Sequence, residues 1–209
     1  ILFSERIFAY PLQSEKYKPV EHTNRFRKAQ NKQIIQRIFK MTTKSNYANK
    51  TVGTKGNDTL IGSDDVDTLM GLQGDDTIIG NKGDDLKIGG YGDDRLIWNN
   101  GDGSDIIEGD EGDDITEVNG ALEAGDEFEL RANGHRTEFE RLNLGNFTLD
   151  VDNVEKFEIN GGGGDDSLKV KDLTGTDVEK VIFSGGEGND SLDASYTSAD
   201  IMAYGDEGN

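Results

Sequence analysis

The residues of this chain best placed to do chemistry are aspartates at a nearly constant interval. Asp58, Asp67, Asp76, Asp85 and Asp94 stand nine residues apart, and Asp105 and Asp114 resume the interval after a two-residue insertion. Asp166 and Asp190 repeat the same local context further on. A carboxylate is a hard oxygen donor, and carbonyls exposed in glycine-rich turns are the same kind of ligand. That set suits Ca²⁺, which accepts six to eight oxygens in flexible geometry, better than Mg²⁺, which demands a strict octahedron and keeps its water. Soft metals are poorly matched to it. The chain has no cysteine and only His22 and His135, so thiolate zinc, iron–sulfur and His-rich sites are excluded.

Carboxylates at a fixed period need a periodic scaffold. From Gly53 the chain reads GTKGNDTLI (53–61), GSDDVDTLM (62–70), GLQGDDTII (71–79), GNKGDDLKI (80–88) and GGYGDDRLI (89–97). After Trp98 and Asn99 come NGDGSDIIE (100–108) and GDEGDDITE (109–117). Position six is Asp in all seven repeats, positions one and four are Gly in six, and position eight is Leu or Ile in five. Glycine at one and four is expected to supply positive φ for a six-residue turn. The last three residues then form a short strand with one side chain facing inward. Two repeats make one coil of turn, strand, turn, strand, and coils stack at about 4.8 Å. Asp58 then lies beside Asp76, Asp67 beside Asp85, and Asp76 beside Asp94. Two such carboxylates at ~4 Å repel by roughly 4 kcal/mol at an effective dielectric near 20, so the pattern calls for a cation between turns.

At these residues the chain resembles the RTX, or haemolysin-type calcium-binding, family, whose nonapeptide is G-G-x-G-x-D-x-U-x. The resemblance spans residues 53–209. It implies an all-β fold, a right-handed parallel β-roll with calcium in its turns. The side-chain ligands it implies are Asp58, Asp67, Asp76, Asp85, Asp94, Asp105, Asp114, Asp166 and Asp190. Backbone carbonyls at Gly56, Gly74, Gly83 and Gly92 would complete the shells. It also implies several Ca²⁺ ions as cofactor and export by type I secretion machinery.

Four departures from the pattern carry expectations. Asp65 replaces Gly at position four, which predicts a strained turn. Lys87 and Thr116 fall at the inward position, which predicts poor packing or a one-residue shift. The Trp98-Asn99 insertion lengthens two coil spacings to 20 residues, and Trp98 is expected to cap a coil. Near the end, 195–203 (SYTSADIMA) reads as a decayed repeat with Asp200 at position six, and GDEGN (205–209) as the start of another. The chain is expected to continue in the natural protein.

Residues 118–160 lack the nonapeptide but show strand-like alternation in 127–132, 147–151 and 156–160. A longer period follows. VEKFEINGGGGDDSL (154–168) aligns with VEKVIFSGGEGNDSL (178–192) at an offset of 24, with Asp166 and Asp190 at position six. This predicts a wider coil in which Phe157 stacks on Val181 and Ile159 on Phe183.

Composition divides the chain. Residues 1–50 hold 11 Lys and Arg, 3 Asp and Glu and both prolines; all 28 glycines and the remaining 39 acidic residues follow. The expected organisation is a basic leader over 1–50, a nonapeptide roll over 51–117 and wider coils over 118–209. Residues 24–41 could form a basic helix for a membrane surface or an acidic partner, or belong to a tail or an upstream domain; Met41 could be the true start. No secretory pattern precedes the repeats. The net charge of −20 argues against nucleic acid as partner. No zinc-protease or nucleophile-elbow motif is present, and His135 reads as an exposed turn residue, so no catalytic role is expected. Two functions remain open. One is a secreted or surface-displayed calcium-binding module that folds on Ca²⁺. The other is a fragment of a larger RTX enzyme or toxin.

Overall fold

The computed structural model describes residues 49–206, and these contain strands and turns with no helix. The basic helix considered over 24–41 and the last residues of GDEGN lie outside them. The repeat region forms β1 (Asn49–Val52), β2 (Thr59–Ile61), β3 (Asp67–Gln73), β4 (Thr77–Ile79), β5 (Leu86–Tyr91), β6 (Arg95–Asn99), β7 (Ile106–Glu111) and β8 (Ile115–Asn119). The remainder forms β9 (Glu127–Asn133), β10 (Arg136–Arg141), β11 (Phe147–Asp152), β12 (Lys156–Gly163), β13 (Ser167–Val170), β14 (Lys180–Glu187), β15 (Ser191–Asp193) and β16 (Asp200–Tyr204).

Successive strands alternate between two sheets through the repeats, as a two-repeat coil requires. One sheet runs β1-β3-β5-β7-β11-β10-β9-β13-β15, the other β16-β14-β12-β8-β6-β4-β2. Registers confirm the period: Thr59 pairs with Thr77 and Thr77 with Arg95, 18 residues apart, and Arg95 with Ile115, 20 apart after the insertion. Between the sheets lie the position-eight side chains, with Leu69, Ile78, Leu96 and Ile107 wholly buried.

Lys87 and Thr116 do not shift the register, contrary to expectation. Lys87 pairs with Leu69 and Ile107, and Thr116 with Leu96 and Phe157, so both hold the inward position. Both are fully buried. The Lys87 ammonium is accommodated because it donates to the Ile97 carbonyl at 2.6 Å and lies 2.9 Å from Asp105 Oδ2. Trp98 caps nothing. It is buried in β6, stacks on Phe147 at 3.7 Å between ring centroids, and donates from Nε1 to the Gly103 carbonyl.

The parallel solenoid has one interruption. β9, β10 and β11 form an antiparallel meander inside the first sheet, with β11 parallel to β7 and β9 parallel to β13. The sequence reading foresaw β9, β11 and β12 but not β10. Gly134 and His135 make the two-residue turn between β9 and β10, and His135 is exposed. The 24-residue coil is present as expected: Phe157 pairs with Val181 and Ile159 with Phe183, all buried. The frame of the decayed repeat is off by one. Lys180 pairs with Asp200 and Val181 with Ile201, so Ala199 takes position six.

Candidate metal centres

Each turn ends in a position-six aspartate whose two oxygens do different things. Oδ1 reaches back to the preceding coil and accepts a backbone N–H. Asp58, Asp76 and Asp94 donate in this way to Asp76, Asp94 and Asp114, at 2.7–2.8 Å. On the other edge Asp67 donates to Asp85 and Asp85 to Asp105. Asp126 donates to Asp166 and Asp166 to Asp190. The expected stacking of carboxylates is therefore realised as hydrogen-bonded ladders.

Oδ2 is where a cation would act. In Asp76, Asp85, Asp94, Asp114, Asp166 and Asp190 this atom is buried and has no hydrogen-bond partner. A buried carboxylate oxygen left so carries a desolvation cost that a cation relieves. Burial accordingly raises these acids above the usual carboxylate range, to about 7 for Asp85, about 6 for Asp94 and Asp166, and about 8 for Asp114. Asp76 is raised from the same main cause.

The position-one glycines shape the space around Oδ2. A methyl group on Gly71 would collide with Asp76 Oδ2 and come within 2.6 Å of the Gly89 carbonyl oxygen. Gly89 stands in the same way before Asp94 and the Gly109 carbonyl, and Gly161 before Asp166 and the Gly185 carbonyl. None of these three glycines has positive φ. Glycine is needed at position one for room, not for backbone conformation, which corrects the sequence reading. Positive φ falls instead at position two, as in Leu72, Asn81, Gly90 and Asp110, and at position four in Gly74, Gly83 and Gly92. Asp65 takes no positive φ, so the strain expected of that turn is absent.

The carbonyls of Gly74 and Gly92 face the position-four glycines of the following coil, Gly92 and Gly112, and that of Gly83 faces Gly103. The carbonyls sharing space with Oδ2 are those of Gly89 at Asp76, Gly109 at Asp94, Gly185 at Asp166 and Asn153 at Asp114. Among the described residues no three His, Asp or Glu side chains converge as a metal group. An ion at these corners must therefore draw part of its shell from backbone carbonyls, and the donor set is all oxygen, as Ca²⁺ prefers.

Asp58 and Asp67 differ from the rest. Asp58 Oδ2 accepts the Thr54 N–H at 2.6 Å and the Thr54 hydroxyl at 2.9 Å. Asp67 Oδ2 accepts the same two groups from Ser63. Asp105 Oδ2 faces Lys87.

Three features escaped the sequence reading. Asp126 joins a ladder because 120–126 is a turn one residue longer than the repeat, with Gly120 in the position-one role against Asp126 Oδ2; the signal was a Gly and an Asp six apart. Glu155 ends the ladder by accepting the Asp114 N–H at 2.7 Å. Position five carries a second ladder running the other way. Asn57, Asp75 and Asp93 accept from the backbone N–H of Asp75, Asp93 and Asp113, one coil onward.

The RTX calcium-binding nonapeptide repeat matches the chain in four copies, over residues 52–86, 61–96, 100–116 and 182–195. No curated protein and no solved structure matches it. The turn at 161–169 lies outside the four copies yet has the same orphaned Oδ2 and glycine cradle. The all-β coils, the periodic aspartates and the matched repeats agree: residues 52–96, 100–116 and 182–195 are RTX calcium-binding nonapeptide repeats, and these repeats bind several Ca²⁺ ions.

Proposed function

We propose that this chain is a secreted or cell-surface module whose fold is switched on by calcium. The observation that carries the reading is the set of buried, unpartnered Oδ2 atoms at Asp76, Asp85, Asp94, Asp114, Asp166 and Asp190, each set against a position-one glycine. These six residues, with carbonyls of the neighbouring glycines, would hold the ions. Bound Ca²⁺ supplies positive charge where the ladders bring carboxylates together. Without it, the inward row of about one aliphatic per repeat is too thin to offset chain entropy and repulsion among 42 acidic residues. Metal binding then becomes folding free energy.

Such a chain stays extended where Ca²⁺ is scarce, as in the cytosol, and folds where it is millimolar. Extracellular calcium modules often bind at ~10⁻⁴–10⁻³ M, the range such a switch needs. An unfolded chain is exportable, which fits the type I route that the family resemblance implies. The role is structural: among the described residues the repeated carboxylates are bound up in ladders.

Circular dichroism of the 209-residue chain tests this reading. A coil spectrum in chelator should become a β spectrum on adding Ca²⁺, with a much weaker response to Mg²⁺. A spectrum indifferent to Ca²⁺ overturns the proposal.

A further inference from the structure

The ten turns that end in a ladder aspartate fall into two states, set by the residue at position two. In seven, position two has positive φ: Leu72 (87°), Asn81 (64°), Gly90 (122°), Gly101 (100°), Asp110 (76°), Gly162 (103°) and Gly186 (100°). The aspartates of these turns are Asp76, Asp85, Asp94, Asp105, Asp114, Asp166 and Asp190, and in all seven Oδ2 accepts no hydrogen bond from its own turn. In the other three, position two is Thr54, Ser63 or Ala121, and none has positive φ. Its backbone N–H donates to Oδ2 of Asp58, Asp67 or Asp126, at 2.6–2.7 Å. Thr54 and Ser63 add their hydroxyls to the same oxygen. Arg141 approaches Asp126 Oδ1 at 3.3 Å.

The open state is costly for a residue with a side chain. A left-handed leucine is a steric outlier, and such conformations persist only where the surroundings impose them. Leu72 adopts it where the reward is a carboxylate oxygen left available. The closed state needs no such reward, because the turn satisfies its own acid.

One open turn has a resident cation. Lys87 projects inward from β5 to lie 2.9 Å from Asp105 Oδ2, with both side chains fully buried. Position one of that repeat is Asn100 instead of glycine, and the Asn100 side chain accepts from Arg141 at 2.7 Å.

We propose that position two sorts the corners: open turns take calcium, closed turns do not, and Lys87 stands in for the ion at Asp105. The proposal rests on the calcium reading above and refines it. Asp58, Asp67 and Asp126 are then self-sufficient turns, two of them at the first coil of the array and one at the start of the wider coils. Asp105 and Asp126 lie on either side of the antiparallel meander, so the solenoid crosses its one irregularity on protein-borne hydrogen bonds and charges.

Counting ions tests this. Native mass spectrometry of the full chain in Ca²⁺ should show Asp76→Asn, Asp94→Asn and Asp166→Asn each holding fewer ions than wild type. Asp58→Asn, Asp67→Asn, Asp126→Asn and Asp105→Asn should keep the wild-type count. Loss of an ion from any of these four, as from Asp94→Asn, overturns the sorting. Absence of bound Ca²⁺ from every form, wild type included, overturns the calcium reading instead. If a variant fails to fold, terbium-substituted crystals of the wild-type chain decide. Anomalous peaks at coordination distance from Oδ2 of Asp76, Asp94 and Asp166 support the proposal, and one at Asp58, Asp67, Asp105 or Asp126 refutes it.

Discussion

The backbone N–H of Asp76 donates to Oδ1 of Asp94 at 2.7 Å, while Oδ2 of the same Asp94 carboxylate is buried without a partner. One side chain thus does two jobs with two oxygens, and substitution can separate them. Asparagine keeps the Oδ1 acceptor and loses the anionic oxygen; alanine loses both. Asp94→Asn should raise the Ca²⁺ midpoint of folding yet leave the calcium-saturated fold intact. Asp94→Ala should raise the midpoint further and cost an additional ~1–3 kcal/mol in saturating Ca²⁺, because the Asp76 N–H is orphaned. Calcium titration followed by circular dichroism, then denaturant melts of the saturated proteins, separates the two. Equal behaviour of Asn and Ala would show that the ladder bond contributes nothing.

Protons should partly replace the metal. In the fold Asp85, Asp94, Asp114 and Asp166 sit at about 7, 6, 8 and 6, above the ordinary 3.8, with burial as the main cause. The folded chain therefore holds protons that the unfolded chain releases. Their stabilisation is complete below the ordinary carboxylate value and is lost as pH rises through 6 to 8. In chelator, β structure should grow as pH falls from about 8 to about 5, and the Ca²⁺ requirement should be steepest at the alkaline end. More apo structure at pH 8 than at pH 5 would contradict the burial of these acids.

Gly71 and Gly56 should respond differently to alanine. A methyl on Gly71 meets Asp76 Oδ2 and the Gly89 carbonyl, whereas one on Gly56 meets nothing within 4 Å, and neither glycine has positive φ. Gly71→Ala is expected to destabilise by ~1–3 kcal/mol and to raise the Ca²⁺ midpoint. Gly56→Ala should stay within about 0.5 kcal/mol of wild type, as surface substitutions do. Thermal melts of both in Ca²⁺ give the comparison.

Trp98 is the single tryptophan and is wholly buried against Phe147. Its strand β6 lies between β4 and β8, which follow the turns of Asp76 and Asp114. Its emission should shift to the blue on adding Ca²⁺, with the midpoint seen by circular dichroism. A blue-shifted emission already present in chelator would mean that this part of the core forms without the ion.

The periodic parts of this fold were legible because a strict period forces one structure. Position six marks the ladder, position eight the core, and the 24-residue offset pairs Phe157 with Val181 as read. The illegible parts depend on contacts between distant segments. Lys87 looked misplaced because its partner, Asp105, is brought to it only by coil stacking. The meander was missed at β10 because RTEFER alternates charge with few apolar residues, and its Arg136 is buried by pairing with Asp150 and Asp152 on β11 and Glu108 on β7. The glycines of position one were read correctly as essential and for the wrong reason, since the close approach of Oδ2 within the turn, and at Gly71, Gly89 and Gly161 of a carbonyl from the next coil, exists only in the folded turn.

The two opposed ladders have a consequence for how such a chain changes length. At one seam Asp58 donates to Asp76 in the coil beyond, and Asp75 donates back to Asn57. At the next, Asp76 donates to Asp94 and Asp93 donates back to Asp75. The two seams are chemically nearly the same object. An unequal genetic exchange that removes or duplicates one coil would rejoin matching halves without creating an unfamiliar junction. Copy number in this part of the gene is therefore a variable that selection can adjust without redesigning the protein.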